Sequence, residues 1–176
     1  MLFACFHLVS RGELMAFRPN EIVSTIELRP DANSIASAKL AVSLAKTAGP
    51  KDLVLCLLSG GASALWSAPV DGVSFADKAA LTKQLLKSGA RISEMNCVRK
   101  HLSRIKGGRL AAASYPAKLI TLAISDVPGD DPDAIGSCPT VGDPTTLADA
   151  LAVLQAYKIS PPASVMAALA QSQNET

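Results

Sequence analysis

A short glycine-rich loop is the first candidate for chemistry in this sequence. Residues 59–63 (SGGAS) come directly after the apolar run at residues 52–58 (DLVLCLL). Small residues let backbone N–H groups come close to a phosphate or carboxylate, and the dipole of a following helix favours the negative charge. The loop matches neither the Walker A pattern nor the GxGxxG fingerprint, so a simple strand-to-helix turn is an equal alternative. The pattern alone therefore indicates a candidate anion site.

A cluster of basic residues occupies residues 96–109 (NCVRKHLSRIKGGR). Arg99, Ser103 and Lys106 are spaced i, i+4, i+7, so on a helix they share one face that could grip a phosphate. A charge run taken alone is more often a solvated helix face, and this alternative is favoured in the absence of context. His101 lies in the same run, and its nearest carboxylate in the sequence, Glu94, suggests no catalytic triad, so a hydrogen-bonded structural role is favoured over catalysis.

Acidic residues collect after a second apolar run at residues 118–125 (KLITLAIS). Asp126, Asp130 and Asp131 offer oxygen ligands for Mg²⁺ or a general base acting on a hydroxyl. Asp is also common in loops because its side chain favours turns, so a structural role is an equal alternative. Turn formation and capping are the favoured roles for three polar residues further along the chain: Ser137, Thr140 and Asp143.

The elements that must position these residues follow from hydrophobic periodicity. The two apolar runs are typical of strands covered on both faces in a parallel sheet. Helices are expected at residues 32–47, 74–88, 93–104, 109–114, from 143 to about 157 and from 161 to 170, with Ser74 and Ser93 as N-caps of the second and third. Alternating strands and helices predict an open α/β sheet, in which ligands bind at the carboxyl ends of strands. An anion-binding loop, a cationic helix face and an acidic loop at that edge would together provide the positioning, charge neutralisation and metal binding that phosphoryl transfer requires.

Bulk composition excludes several classes of protein. The 176 residues are 49% hydrophobic and 18% charged with a net charge of +2, which indicates one folded domain and favours neither nucleic acid nor a membrane as partner. No run reaches the roughly 18 apolar residues of a membrane span, and the opening apolar residues 2–9 lack the basic start of a signal peptide. The cysteines are widely spaced without a CxxC pair, which predicts free thiols and a cytoplasmic location. They are Cys5, Cys56, Cys97 and Cys138.

Four stretches carry a resemblance to a known family. In chain order they are LVLCLLSGGASALWSAP (53–69), NCVRKHLSRIKGGRLA (96–111), ISDVPGDDP (124–132) and PTVGDPTT (139–146). On these motifs the chain resembles the glycerate 2-kinases, which have also been named hydroxypyruvate reductases. The N-terminal domain of that family is of the DUF4147 type, and a MOFRL domain follows it in full-length members.

The resemblance implies a reaction and a fold. The reaction is transfer of the ATP γ-phosphate to the 2-hydroxyl of D-glycerate with Mg²⁺, giving 2-phosphoglycerate. The fold is a three-layer α/β/α sandwich with a mainly parallel, Rossmann-like sheet, incomplete in this chain. The implied partners are glycerate and the nucleotide, and assembly into a homo-oligomer is left open.

The resemblance also assigns roles to individual residues. The substrate and nucleotide contacts that it implies are Ser59, Gly60, Gly61, Ser63, Arg99 and Lys100. Catalytic roles fall on Asp126 and Lys106, and metal binding falls on Asp126 and Asp130.

Departures from the family pattern indicate a fragment. Residues 1–29 form a divergent N-terminal segment, and residues 30–176 correspond to part of the glycerate kinase N-terminal α/β domain. The upstream lysine segment and the second domain are missing, and Cys138 stands where the family has glycine. We therefore expect this chain to be inactive alone. Two alternatives stay open: a hydroxypyruvate reductase, which the missing GxGxxG pattern disfavours, and a non-catalytic remnant that binds a nucleotide or anion.

Overall fold

The computed structural model describes residues 5–10, 13–16, 32–58, 63, 66–125 and 127–176. The strands are β1 (Cys5–Ser10), β2 (Glu13–Ala16), β3 (Leu53–Leu58) and β4 (Lys118–Ala123). The α-helices are α1 (Ala32–Thr47), α2 (Phe75–Ser88), α3 (Ile92–His101), α4 (Arg109–Ser114), α5 (Leu147–Ala156) and α6 (Ala163–Leu169). Each helix and strand expected from the sequence is present.

Helix ends follow local hydrogen bonding. Ser74 caps α2 as predicted, because its hydroxyl accepts a hydrogen bond from the Asp77 backbone N–H at 3.0 Å. The N-cap predicted at Ser93 is wrong. Helix α3 starts earlier, with Arg91 as the N-cap, because the Glu94 carboxylate reaches back and accepts the Arg91 N–H at 2.7 Å.

The sheet has the order β2-β1-β3-β4. Strands β3 and β4 are parallel, in a register from Leu53 opposite Lys118 to Leu58 opposite Ala123, which confirms the α/β class and the parallel pairing of the two apolar runs. Strand β1 pairs antiparallel with both β3 and β2. This hairpin was not expected from the sequence, in which the apolar residues 2–9 were considered only as a candidate signal peptide.

One face of the sheet is covered and the other is open in the described part of the chain. Val54, Cys56 and Leu58 of β3 point into a core formed with α1, α4 and Trp66. On the opposite face Ile120 and Leu122 of β4 are 46% and 58% exposed. The prediction that both apolar runs are covered on both faces is therefore wrong for this second face, because none of the described helices packs there.

A second hydrophobic core lies among the helices. Side chains from α2, α3, α5 and α6 form it, including Leu81, Val98, Leu154 and Val165. The end of α3 is tied to the first core through residues 68–70, where the Arg104 N–H donates to the Ala68 carbonyl at 2.8 Å. This connection fixes the basic end of α3 relative to the sheet. No helix in the described residues is long and apolar enough to cross a membrane.

Candidate anion-binding site

The two candidate loops leave the same edge of the sheet. Strands β3 and β4 end side by side, and the Ile124 N–H donates to the Leu58 carbonyl at 3.0 Å. Ser59, Gly60, Gly61 and Asp126 lie outside the described residues, so their roles stay predictions. The strand order places β3 between β1 and β4, which makes its carboxyl end central in the sheet.

Ser63 connects this edge to the basic segment. Lys106 Nζ donates to the Ser63 carbonyl oxygen at 2.7 Å and to its hydroxyl at 3.0 Å. Arg99 Nη2 also donates to the Ser63 hydroxyl, at 3.4 Å. The Ser137 hydroxyl lies 2.6 Å from that of Ser63 and shares a hydrogen bond with it. Of the predicted site residues, Ser63, Arg99 and Lys106 are therefore brought together.

The path by which Lys106 reaches Ser63 differs from the predicted helix face. Helix α3 ends at His101, and the Ser103 hydroxyl accepts the N–H groups of Ile105 and Lys106 at 3.4 and 3.3 Å. A serine side chain that bonds nearby backbone competes with the helix, so the chain turns here. The predicted i, i+4, i+7 face is wrong in geometry, with Ser103 buried inside the turn. The solvated-face alternative is wrong for Lys106, which is only 2% exposed.

The turn that carries Lys106 is held against residues 137–139. The Gly107 N–H donates to the Ser137 carbonyl at 3.3 Å, and the Gly108 N–H donates to the Cys138 carbonyl at 2.7 Å. Gly108 has φ 76°, and a Cβ there would lie 3.0 Å from the Val141 carbonyl oxygen. Cys138 adopts φ 58°, so it keeps the left-handed conformation that the family's glycine would favour. Ser137 thus serves the site as well as the turn.

Lys100 is held in a buried ion pair. Its Nζ lies 3.3 Å from Asp133 Oδ1 and 3.4 Å from Asp143 Oδ1, and the Asp143 side chain has 0% exposure. Burial raises the pKa of Asp143, but hydrogen bonds from Thr145 and Thr176 and the charge of Lys100 outweigh it and lower that pKa overall. Arg99 and Lys106, in contrast, form no ion pair with the described carboxylates. The role of Lys100 as an anion contact stays a prediction.

A cavity of about 600 Å³ opens beside Ser63, Arg99 and Lys106. Two further cations line it from α2, Lys78 and Lys83, and none of its described lining residues is acidic. The rest of its wall consists of three apolar and two hydroxyl side chains: Phe75, Ala79, Leu86, Ser67 and Thr82. Several positive charges that converge on a cavity without a described carboxylate indicate an anion site.

Lys78 is a buried residue of this site that was not predicted from the sequence. Its Nζ donates to the Leu102 carbonyl at 2.9 Å, and the residue is 8% exposed. A signal for it exists, because Lys78, Leu81 and Leu85 share the buried face of α2 at i, i+3, i+7. A lysine on the apolar face of a helix is unusual unless it has a polar task.

Burial and mutual repulsion lower the pKa values of these cations. Burial lowers the pKa of Lys78 to about 7, and the charges of Arg99 and Arg109 act in the same direction. Burial also lowers the pKa of Lys106 well below its usual value, with contributions from Arg99, Lys78 and Lys100. Burial lowers the pKa of Arg99 too. A bound anion would relieve this strain between like charges.

The acidic loop provides less structural support for its predicted role. Asp130 is exposed, at φ 53°, and the Asp131 carboxylate accepts the Asp133 N–H at 3.1 Å. The described residues contain no cluster of three His, Cys, Asp or Glu side chains able to hold a metal. Because Asp126 lies outside those residues, the assignment of Mg²⁺ to Asp126 and Asp130 stays a prediction.

The remaining candidates have structural roles. His101 is fully buried, and its Nδ1 lies 2.8 Å from the Cys97 carbonyl oxygen while its Nε2 lies 3.1 Å from Glu175. Thr140 accepts a hydrogen bond from the Thr121 hydroxyl of β4 at 2.9 Å. Cys97 and Cys138 are free thiols, as predicted, and burial raises the pKa of both.

Comparison with known proteins gives the family. A family model described as a domain of unknown function, DUF4147, matches residues 7–170. An Agrobacterium vitis protein with the provisional name hydroxypyruvate reductase is 54% identical over 156 residues, 89% of this chain and 35% of its own. D-glycerate 2-kinase from Thermotoga maritima is 47% identical over 142 residues, 81% of this chain and 34% of its own.

Solved structures agree with these sequence matches. The crystal structure of glycerate kinase from Thermotoga maritima superposes with a TM-score of 0.79 at 47% identity, covering 84% of this chain and 35% of that one. The chain spans about a third of the length of the curated relatives it matches. The four motifs, the fold and the match over residues 7–170 lead to one conclusion: the chain belongs to the DUF4147 family, that of the glycerate 2-kinases.

Proposed function

We propose that this chain forms the anion-binding core of a glycerate 2-kinase, which transfers the γ-phosphate of ATP to the 2-hydroxyl of D-glycerate. The observation that carries the proposal is the convergence of Arg99 and Lys106 on Ser63 in a cavity without a described carboxylate. Phosphoryl transfer depends mainly on positioning and on neutralising negative charge, which buried cations provide. The names of the relatives support the same reaction.

Each predicted residue has a role in this proposal. The loop residues Ser59, Gly60, Gly61 and Ser63 would offer backbone N–H groups and hydroxyls to a phosphate. Arg99 and Lys106 would neutralise its charge, and Lys100 would add a positive charge nearby.

The acidic loop would supply the base and the metal ligands. Asp126 would accept the proton of the substrate hydroxyl, and Asp126 and Asp130 would hold Mg²⁺. These side chains suit Mg²⁺ because the ion prefers carboxylate oxygens as ligands. The Asp130 carboxylate also forms no ion pair in the described part of the chain. The ion would offset phosphate charge.

The proposed enzyme needs more than this chain. In phosphoryl transfer, charge must be neutralised from several sides in a cleft that excludes water. We propose that residues 30–176 provide one side of this cleft, while β1 and β2 extend the sheet. The free thiols and the small-molecule substrates fit a cytoplasmic enzyme. The open face of β4 would favour association between copies of the chain.

A chimera tests the function. This chain would replace the matching third of the Thermotoga maritima D-glycerate 2-kinase, and formation of 2-phosphoglycerate from ATP, Mg²⁺ and D-glycerate would be measured. We expect turnover by the chimera and negligible turnover by this chain alone. A folded chimera that binds ATP without turnover would favour the non-catalytic remnant. Reduction of hydroxypyruvate by NADH or NADPH would favour the reductase.

A further inference from the structure

Lys78 reaches the cavity from a helix that carries none of the predicted site residues. It lies on α2, and its amine crosses to the carbonyl of Leu102, just beyond the end of α3. Lys78, Arg99 and Lys106 all line the same cavity. The hydrogen bond to Leu102 uses one donor of the amine, and an ammonium group has further donors for a ligand.

The charges around this cavity are not balanced by the described residues. The salt bridges of the described residues involve Lys100, His101 and Arg104, and none involves Lys78, Arg99 or Lys106. Burying an unpaired ammonium costs free energy unless an opposite charge accompanies it. Lys78 and Lys106 are nevertheless both buried. A bound anion would compensate both.

We propose that Lys78 is a third cationic ligand, with Arg99 and Lys106, for a phosphate group that binds in this cavity. The proposal rests on the proposed function for its choice of phosphate over other anions. It adds a binding residue that lies outside the four sequence motifs. Lys78 is a binding residue in this proposal and takes no part in a covalent step.

The size and lining of the cavity fit a phosphate attached to a larger molecule. A volume of about 600 Å³ lies within the roughly 300–1,000 Å³ typical of small-molecule sites. Phe75 and Leu86 add apolar surface to the lining of the cavity. The phosphate could come from the nucleotide or from 2-phosphoglycerate, and the test below separates these sources.

Phosphate binding should change the protonation of Lys78. Among the described residues, the charges that act on its amine are those of Arg99 and Arg109 of α4, and the other cations that line the cavity are Lys83 and Lys106. With its pKa lowered to about 7, Lys78 is largely neutral at about pH 8 without a ligand. A phosphate dianion favours the ammonium form, so binding should take up a proton from solvent.

Isothermal titration calorimetry on the whole chain tests the proposal. Inorganic phosphate, ADP and 2-phosphoglycerate are titrated into the wild type, Lys78→Met and Lys87→Met. Lys87 lies on the same helix, is exposed and is not among the residues that line the cavity, so its replacement is a matched change of charge. We expect Lys78→Met to weaken phosphate binding about tenfold or more, since a charge-assisted hydrogen bond is lost. Lys87→Met should bind as the wild type does.

Proton uptake provides a second readout. Titrations at about pH 8 in two buffers of different ionisation enthalpy should show that the wild type takes up more protons for each phosphate bound than Lys78→Gln does. Because the pKa of Lys106 is lowered as well, the difference between the two proteins identifies Lys78. Lys78→Gln also replaces Lys78→Met in the binding test if that variant fails to fold. A larger loss for ADP than for 2-phosphoglycerate would assign the phosphate to the nucleotide, and the reverse would assign it to the acceptor.

The outcomes separate this proposal from the proposed function. Equal phosphate binding by the wild type and the Lys78 variants, together with equal proton uptake, would overturn the role of Lys78. The proposed function would still stand if Arg99→Met then lost phosphate binding. A wild-type chain that binds none of the three ligands would contradict both proposals.

Discussion

Replacing Lys78 by methionine should stabilise the fold while it weakens the site. Lys78 is buried with its pKa at about 7 rather than 10.5, a difference that corresponds to about 5 kcal/mol at ~1.4 kcal/mol for each pH unit. This is the upper limit of the penalty that the charged amine imposes on folding. Methionine has a similar length and carries no charge. The lost hydrogen bond to Leu102 costs about 1 kcal/mol, and the Leu102 carbonyl keeps the N–H of Val70 at 3.4 Å.

The pH dependence has a definite sign. Because the folded pKa of Lys78 lies below the unfolded value, the unfolded chain binds more protons between about pH 7 and 10.5. The free energy of unfolding of the wild type therefore rises with pH across this window. Below about pH 7 the full penalty for burying the charged amine applies. We expect Lys78→Met to be about 2–4 kcal/mol more stable than the wild type at about pH 6, with the advantage shrinking toward about pH 10.

Urea unfolding followed by circular dichroism measures this difference. The midpoint and slope are compared at about pH 6, 8 and 9.5 for the wild type, Lys78→Met and the control Lys87→Met. An unchanged slope shows that the midpoint reports stability. The reasoning fails if Lys78→Met is less stable than the wild type near pH 6, or if its advantage is the same at every pH.

Three further changes test other parts of the structure. Gly108→Ala should lower the free energy of unfolding by about 2–3 kcal/mol, because the new Cβ adds strain at a positive φ and contacts a backbone carbonyl. Gly129→Ala is the control, since Gly129 has φ 86° and a Cβ there would have no atom within 4 Å. It should lose only about 1 kcal/mol in thermal unfolding. Asp143→Asn should cost about 3 kcal/mol in urea unfolding because it removes a buried charge that pairs with Lys100. Asp133→Asn, at a carboxylate 36% exposed, should cost less than about 1 kcal/mol, and equal losses would contradict this account. Asp126→Asn in the chimera should abolish formation of 2-phosphoglycerate without changing its melting temperature, and near-normal turnover would remove Asp126 from the catalytic role.

The sequence was sufficient for elements whose signals are local. Helix α1 was predicted at residues 32–47 and is found there, because its periodicity ends at a Gly-Pro pair. Strands β3 and β4 were predicted from apolar runs, and their parallel pairing follows from the helices between them. The error at Ser93 has a local cause as well, since Glu94 bonds the Arg91 N–H and shifts the start of α3.

The candidate site was predicted in part. Ser63, Arg99 and Lys106 belong to recognisable motifs and meet in the structure, although through a turn at Ser103 instead of one helix face. Lys78 belongs to none of those motifs. It joins the site only because α2 packs beside the end of α3.

Sequence alone therefore determined the six helices and strands β3 and β4, the family that the chain resembles and the motifs that are candidates for its chemistry. The tertiary structure decided which cations are paired and which are free to bind. Lys100 is neutralised by carboxylates 33 and 43 residues away, whereas Lys78 and Lys106 share a cavity without a described carboxylate. The physical reason is that periodicity and caps depend on neighbours along the chain, whereas burial and charge pairing depend on side chains brought together by packing.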